Sequence, residues 1–170
     1  ITGGIAAYKS AILCSRLVQA GCDVRVAMTP AATEFIGTPT LAALSGKPVA
    51  TAMFDASHPL GTHIELADQI DLMIVAPATA SLLSRFATGR ADDLVSTLYL
   101  QVQCPVLLAP AMSAPMWSKP VVRRNVAQLR EDGCHFVGPE SGWLSCRVSG
   151  DGRMSEPEEI REAAESVFNR

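Results

Sequence analysis

Short runs of aliphatic and β-branched residues alternate along the chain with longer stretches in which apolar positions recur every three or four residues. A strand covered on both faces reads as a continuous apolar run, whereas a surface helix is apolar along one stripe only, so this alternation predicts repeated βα units. Strands are expected over residues 23–28, 49–51, 72–76, 106–109 and 135–137, and Ile1-Thr2 reads as the tail of a further strand truncated at the N-terminus. The first helix is expected over 5–20, with Ala6, Leu13, Leu17 and Ala20 on one face and Gly21 as its stop. Others are expected over 39–44, 80–87, 91–101 and 120–132, the last with Val122, Val126 and Leu129 in register. A terminal helix is announced by Ser155, Glu156, Pro157 and Glu158, a capping box with proline in the first turn, followed by the stripe Ile160, Ala164 and Val167.

Right-handed crossovers turn such a series into a Rossmann-like, doubly wound parallel sheet of the α/β class, three layers thick, with ligands at the carboxyl ends of the strands. Chemistry is therefore sought at Gly3-Gly4, at Thr29-Pro30, over 77–81 and over 110–117. One stretch, 138–155, is rich in Gly and Ser and reads as a long irregular loop, a length that tends to signal function or disorder.

Composition narrows the classes. The 170 residues suit a single domain, and 48% hydrophobic content with 5% aromatics implies a core of Ala, Val, Leu and Ile. A net charge of -3 with no cluster of Lys or Arg argues against nucleic acid as a partner, since phosphate neutralisation needs grouped cations. The apolar stretches 72–80 and 106–112 are too short to span a bilayer, and the chain opens on no signal-peptide pattern. Five cysteines, an odd number with no C-x-x-C pair, argue against a disulfide framework and against a zinc site, and fit a reducing cytoplasm.

The candidate motifs are individually weak. Thr2-Gly3-Gly4-Ile5-Ala6-Ala7 follows a strand and opens a helix, where free N–H groups and the helix dipole hold a phosphate, yet it reads equally as a tight turn. The small-residue loops from Ala76 to Ser81 and from Ala109 to Trp117 let a flat ring approach the backbone, or simply let helix and sheet pack closely. His63, in Gly61-Thr62-His63-Ile64-Glu65-Leu66 just before a short helical turn, is as a lone histidine more often structural than catalytic; His58 and His135 read as structural too. The three histidines have no metal-ligand spacing. Cys146 stands apart on the polar loop, whereas the other four cysteines read as small core residues.

In combination and order these segments resemble the homo-oligomeric flavin-containing cysteine decarboxylases, and within them the bacterial phosphopantothenoylcysteine decarboxylase domains, over nearly the whole chain. His63-Ile64-Glu65-Leu66 is similar to the family's histidine motif, Pro77-Ala78-Thr79-Ala80-Ser81 to its P-A-S-A-N-T segment, and Pro110–Trp117 to its P-x-M-N-x-x-M-W segment. Cys146 with Gly150, Gly152, Arg153 and Met154 is similar to its substrate clamp. The resemblance implies one FMN-binding decarboxylase domain over residues 1–170, often followed in bacteria by a synthetase domain, and assembled as a trimer or, further, a dodecamer. It implies an FMN phosphate near Gly3, Gly4 and Ile5, with Thr29 and Ala31 close by, and Thr79, Ala80, Ser81 and Ala111 around the ring. It implies that the substrate, 4'-phosphopantothenoylcysteine, meets Ser113 and Met116. Its thiol is oxidised to a thioaldehyde, carbon dioxide leaves, and re-reduction gives 4'-phosphopantetheine, with His63 acting in the first steps and Cys146 supplying a proton in the last.

Three positions depart from the family pattern. Ser113 replaces an asparagine that grips the substrate carboxylate, Ser81-Leu82 replaces Asn-Thr, and Arg147 replaces a glycine beside Cys146. The alternatives are a peptidyl-cysteine decarboxylase and a non-catalytic FMN-binding regulatory protein.

Overall fold

The computed structural model describes residues 1–169, so Arg170 of the expected domain lies outside the described residues. In chain order the elements are α1 (Ala7–Gln19), β1 (Val26–Ala27), α2 (Pro30–Thr33), α3 (Thr38–Ser45), β2 (Val49–Ala50), α4 (Thr62–Ala67), β3 (Met73–Ala78) and α5 (Ala80–Ala87). They continue with α6 (Leu94–Gln101), β4 (Val106–Pro110), α7 (Ala114–Trp117), α8 (Pro120–Glu131), β5 (His135–Phe136), β6 (Glu140–Trp143), β7 (Ser149–Arg153) and α9 (Pro157–Phe168).

The parallel strands fall into two groups, β1–β2 and β3–β4–β5. The Ile1-Thr2 stub lies between them. Its amino group donates to Ala27 O at 2.7 Å and its first carbonyl accepts Thr29 N–H at 3.0 Å. On the other side Thr2 Oγ1 donates to Pro77 O at 2.6 Å. The order β2–β1–stub–β3–β4–β5 is that of a doubly wound sheet.

Side-chain alternation on β4 builds the three layers. Val106 and Leu108, with Met73 and Val75 of β3, pack against Leu82 and Phe86 of α5, Val95 and Leu98 of α6, and Val122, Val126 and Leu129 of α8. Leu107 and Ala109, with Ala76, face the other way onto Leu13 of α1 and Ile160 and Ala164 of α9. A third cluster, Cys14, Val26, Met28, Ala32 and Leu41, closes α1 and α3 over β1. Each leucine fully buried in this way contributes roughly 2 kcal/mol.

Several sequence expectations are corrected. The stretch 138–155 is an antiparallel hairpin, β6 paired with β7 (Gly142 opposite Gly150, Trp143 opposite Ser149). Its glycines carry no side chains to alternate, which hid the strand pattern. The buried face of α1 is Ala7, Lys9, Ser10, Leu13 and Cys14, while Ala20 is exposed. The α9 cap is Glu156 with Glu159, one residue later than expected; Ser155 is instead fully buried and donates to Glu140. Cys22 is exposed and Cys104 half-buried, so of the four cysteines read as core only Cys14 and Cys134 are buried. His63 lies inside α4 rather than ahead of it.

Candidate active site

The carboxyl ends of β1, β3 and β4 and the N-terminus of α1 converge through backbone-level contacts. A Cβ placed on Gly3 would lie 2.5 Å from Ala31 Cβ and 2.8 Å from the Ala31 main chain, so only glycine lets these two segments meet. A Cβ on Gly4 would lie 3.7 Å from Thr79 Cγ2. Ala111 N–H donates to Ala78 O at 3.1 Å, joining the loop after β4 to the loop after β3. The expected residues Gly3, Gly4, Ile5, Thr29, Ala31, Thr79, Ala80, Ser81 and Ala111 therefore stand on adjoining turns.

Three hydroxyls hold this arrangement: Thr2 and Thr79 belong to the expected motifs, whereas Ser10 was not expected. The β3–β4 register breaks between Val75 and Ala78. The carbonyls of Ala76 and Pro77, at that break, are taken by Ser10 Oγ at 2.5 Å and Thr2 Oγ1 at 2.6 Å. Thr79 Oγ1 caps α5 by accepting Leu82 N–H at 3.4 Å. For Ser10 the available signal was a polar residue on a helix face that should have been apolar.

Two observations show room for an anion. The backbone N–H groups of Gly3, Gly4, Ile5 and Ala6 find no acceptor among the described residues, and they open the thirteen-residue helix α1 with its positive dipole end. Beside them the Thr29 hydroxyl is buried and has no hydrogen-bond partner. A buried hydroxyl left unpaired costs on the order of 1–3 kcal/mol, which a bound phosphate oxygen relieves. The residues fit a phosphate-bearing mononucleotide such as FMN.

The hairpin reaches the same region. Met112 N–H donates to Gly152 O at 2.9 Å, and a Cβ on Gly150 would lie 2.9 Å from Ala114 Cβ. The hairpin thus lies along the segment holding Ser113, whose side chain makes no cap bond, and Met116, which is exposed. At its base the buried Lys9 ammonium donates to Met154 O and Glu156 Oε1, both at 2.9 Å. That bond, with Arg153 nearby, holds the Glu156 carboxyl below its ordinary range. Cys146 sits exposed in the tip between the strands, next to Arg147, whose φ of 65° is left-handed.

His63 makes no hydrogen bond to the glycine turn or to the loops after β3 and β4 among the described residues. Its imidazole packs back on Gly61, where a Cβ would lie 3.4 Å from Cε1, and its Nδ1 is buried without a partner. Two clefts of about 590 and 340 Å³ run along Ile12 and Arg16, and none of the expected site residues lines either.

A helix-start anion seat beside small-residue loops, at the carboxyl ends of a parallel sheet, defines a nucleotide-binding protein of the Rossmann-like α/β class. Comparison narrows the class: the chain belongs to the flavoprotein family, which matches residues 1–169. It is 45% identical over 169 residues to the Coenzyme A biosynthesis bifunctional protein CoaBC of Bacillus subtilis (strain 168), covering 99% of this chain and 42% of that protein. The protein of the same description from Haemophilus influenzae is 44% identical over 171 residues, covering 100% of this chain and 43% of that one. The chain thus spans about two fifths of the length of these relatives. Among solved structures, the FMN-dependent cysteine decarboxylase SpaF superposes with a TM-score of 0.85 at 30% identity, over 99% of this chain and 94% of that one. A PPC decarboxylase mutant complexed with pantothenoylaminoethenethiol gives 0.88 at 25% identity, over 99% and 95%. No helix among the described residues is long and apolar enough to cross a membrane.

Proposed function

We propose that this chain binds FMN and decarboxylates 4'-phosphopantothenoylcysteine to 4'-phosphopantetheine, a step of coenzyme A biosynthesis in the cytoplasm. The observation that carries the reading is the seat itself: unsatisfied N–H groups at Gly3, Gly4 and Ile5 beside the unpaired, buried Thr29 hydroxyl. The CoaBC relatives and the FMN-dependent decarboxylase neighbours support it.

Gly3, Gly4, Ile5, Thr29 and Ala31 would hold the FMN phosphate, and Thr79, Ala80, Ser81 and Ala111 would border the ring. Bound there, FMN supplies a two-electron acceptor and donor for the substrate sulfur. The chain's own residues do the rest. His63 accepts a proton as the thiol carbon becomes a thioaldehyde, which provides the electron sink that lets carbon dioxide leave. Ser113 donates one hydrogen bond to the departing carboxylate, and Met116 packs beside it. Cys146, brought by the hairpin that adjoins Ser113, protonates the carbon of the resulting enethiol.

The lack of any hydrogen bond from His63 to the other turns within one chain, with its Nδ1 buried and unpartnered, fits a site completed between subunits, in a trimer or a dodecamer built from trimers. Ile5, Tyr8, Phe35, Leu60 and Ile64, all exposed, offer apolar surface for that contact.

The test is to incubate FMN-loaded protein with phosphopantothenoylcysteine and weigh the product. A saturated thiol lighter by carbon dioxide is expected, and His63→Asn abolishes its formation while FMN stays bound. A chain that instead acts on peptides ending in cysteine gives an unsaturated peptide thiol and leaves phosphopantothenoylcysteine untouched.

A further inference from the structure

Resting on that assignment of His63, we propose that Glu65 and Arg25 are positioning residues that fix where His63 stands. The need for them is physical. Helix α4 has six residues, too few to hold its own geometry in water. The His63 side chain, with Nδ1 buried and unpartnered, has no ring hydrogen bond among the described residues to orient it. Its placement therefore follows from the backbone beneath it.

That backbone is tied at both ends through Glu65. At the start of α4 the cap is Gly61, with φ of 105° and no side-chain hydrogen bond. The Glu65 carboxylate reaches back to take Leu60 N–H at 2.9 Å, while the main-chain N–H groups of Ile64 and Glu65 bond Gly61 O at 3.0 and 3.1 Å. The turn from 60 to 65 is thereby closed, with His63 inside it and its imidazole against Gly61.

At the far end, Arg25 Nη1 donates to Glu65 O at 3.1 Å and to Asp68 O at 3.0 Å. These are carbonyls that a helix end leaves unpaired, and a cation is favoured at that end of the helix dipole. Arg25 immediately precedes β1, whose register with β2 is set by Val26 opposite Val49. A chain of bonds thus runs from the sheet through Arg25 to Glu65, and from Glu65 over the turn that carries His63. The far face of α4 packs on α6, so the helix is held between a packed surface and these hydrogen bonds.

The experiment compares FMN-loaded wild type with Glu65→Ala, Glu65→Gln, Arg25→Met and Arg25→Lys, using phosphopantothenoylcysteine turnover and the carbon-13 histidine Cε1–H spectrum. The His63 signal is assigned by its loss in His63→Asn. Glu65→Ala is expected to lower kcat by about 10- to 100-fold with KM changed by no more than about twofold, the scale that follows from misplacing a reacting group by an ångström. Glu65→Gln should restore most of kcat, because its amide oxygen accepts the same N–H. Arg25→Met should fall by roughly 10-fold, with partial return in Arg25→Lys. In Glu65→Ala and Arg25→Met the His63 signal should move or broaden while that of His135 stays in place. Wild-type kcat together with an unmoved His63 signal in Glu65→Ala overturns the inference, even if the variant melts earlier. Full turnover by His63→Asn would instead remove the assigned role of His63, and the spectrum would still report whether Glu65 and Arg25 position it.

Discussion

The proposed flavin seat and the Cys146 hairpin are built in opposite ways. The seat is held from within: Thr2, Ser10 and Thr79 hydroxyls lock the loop after β3, and Gly3 allows contact with Ala31 that no side chain would permit. The hairpin is held from its base, by Gly152 on Met112, by Lys9 on Met154 and by Ser155 on Glu140, while its tip places Cys146, Arg147 and Val148 in solvent. A redox ring needs fixed surroundings, because its potential and its distance to sulfur depend on them. A proton donor that meets an incoming substrate is better carried where local opening is cheap. Under the proposed function, the contrast would separate binding of the cofactor from completion of the reaction.

Substitutions can break that separation, starting with the seat. Gly3→Ala drives a methyl group into Ala31, and FMN affinity should fall by at least about 100-fold, as fluorescence titration would show, with turnover lost as a consequence. On the hairpin side, Gly152→Ala places a Cβ 2.2 Å from Met112 O at a φ of 125°. It should cost about 3 kcal/mol or more by denaturant unfolding and abolish turnover, yet the folded fraction should still bind FMN. Cys146→Ser should leave both stability and flavin binding near wild type, and the product should stop at the unsaturated thiol, two hydrogens lighter by mass spectrometry. The smallest effect belongs to Arg147→Gly, which relieves a left-handed backbone at the tip and should stabilise the protein by about 1 kcal/mol.

Much of the seat was legible because it sits on elements whose patterns are unambiguous. Every residue of β4 is buried, and its apolar run announced it; Gly3-Gly4 and the two proline loops then fell at strand ends by topology alone. Strands β1 and β2 were overdrawn, since only Val26–Ala27 and Val49–Ala50 of the expected 23–28 and 49–51 pair. The hairpin was missed because Gly142, Gly150 and Gly152 leave its inner positions blank. Lys9 and Ser10 were missed for another reason. Their partners are backbone carbonyls 145 and 66 residues away, and a carbonyl has no sequence signature. The α9 cap shifts from Ser155 to Glu156 because Ser155 is drawn inward by the Glu140 carboxylate, a pairing that spacing alone does not announce.

The central claim is that the strand-end turns around Gly3 and Thr29 seat FMN. Titrating the folded, flavin-free protein with FMN while following flavin fluorescence tests it directly. Saturable quenching at one FMN per chain, weakened in Thr29→Val, is the predicted result. A folded protein that leaves FMN fluorescence unchanged at every concentration contradicts it.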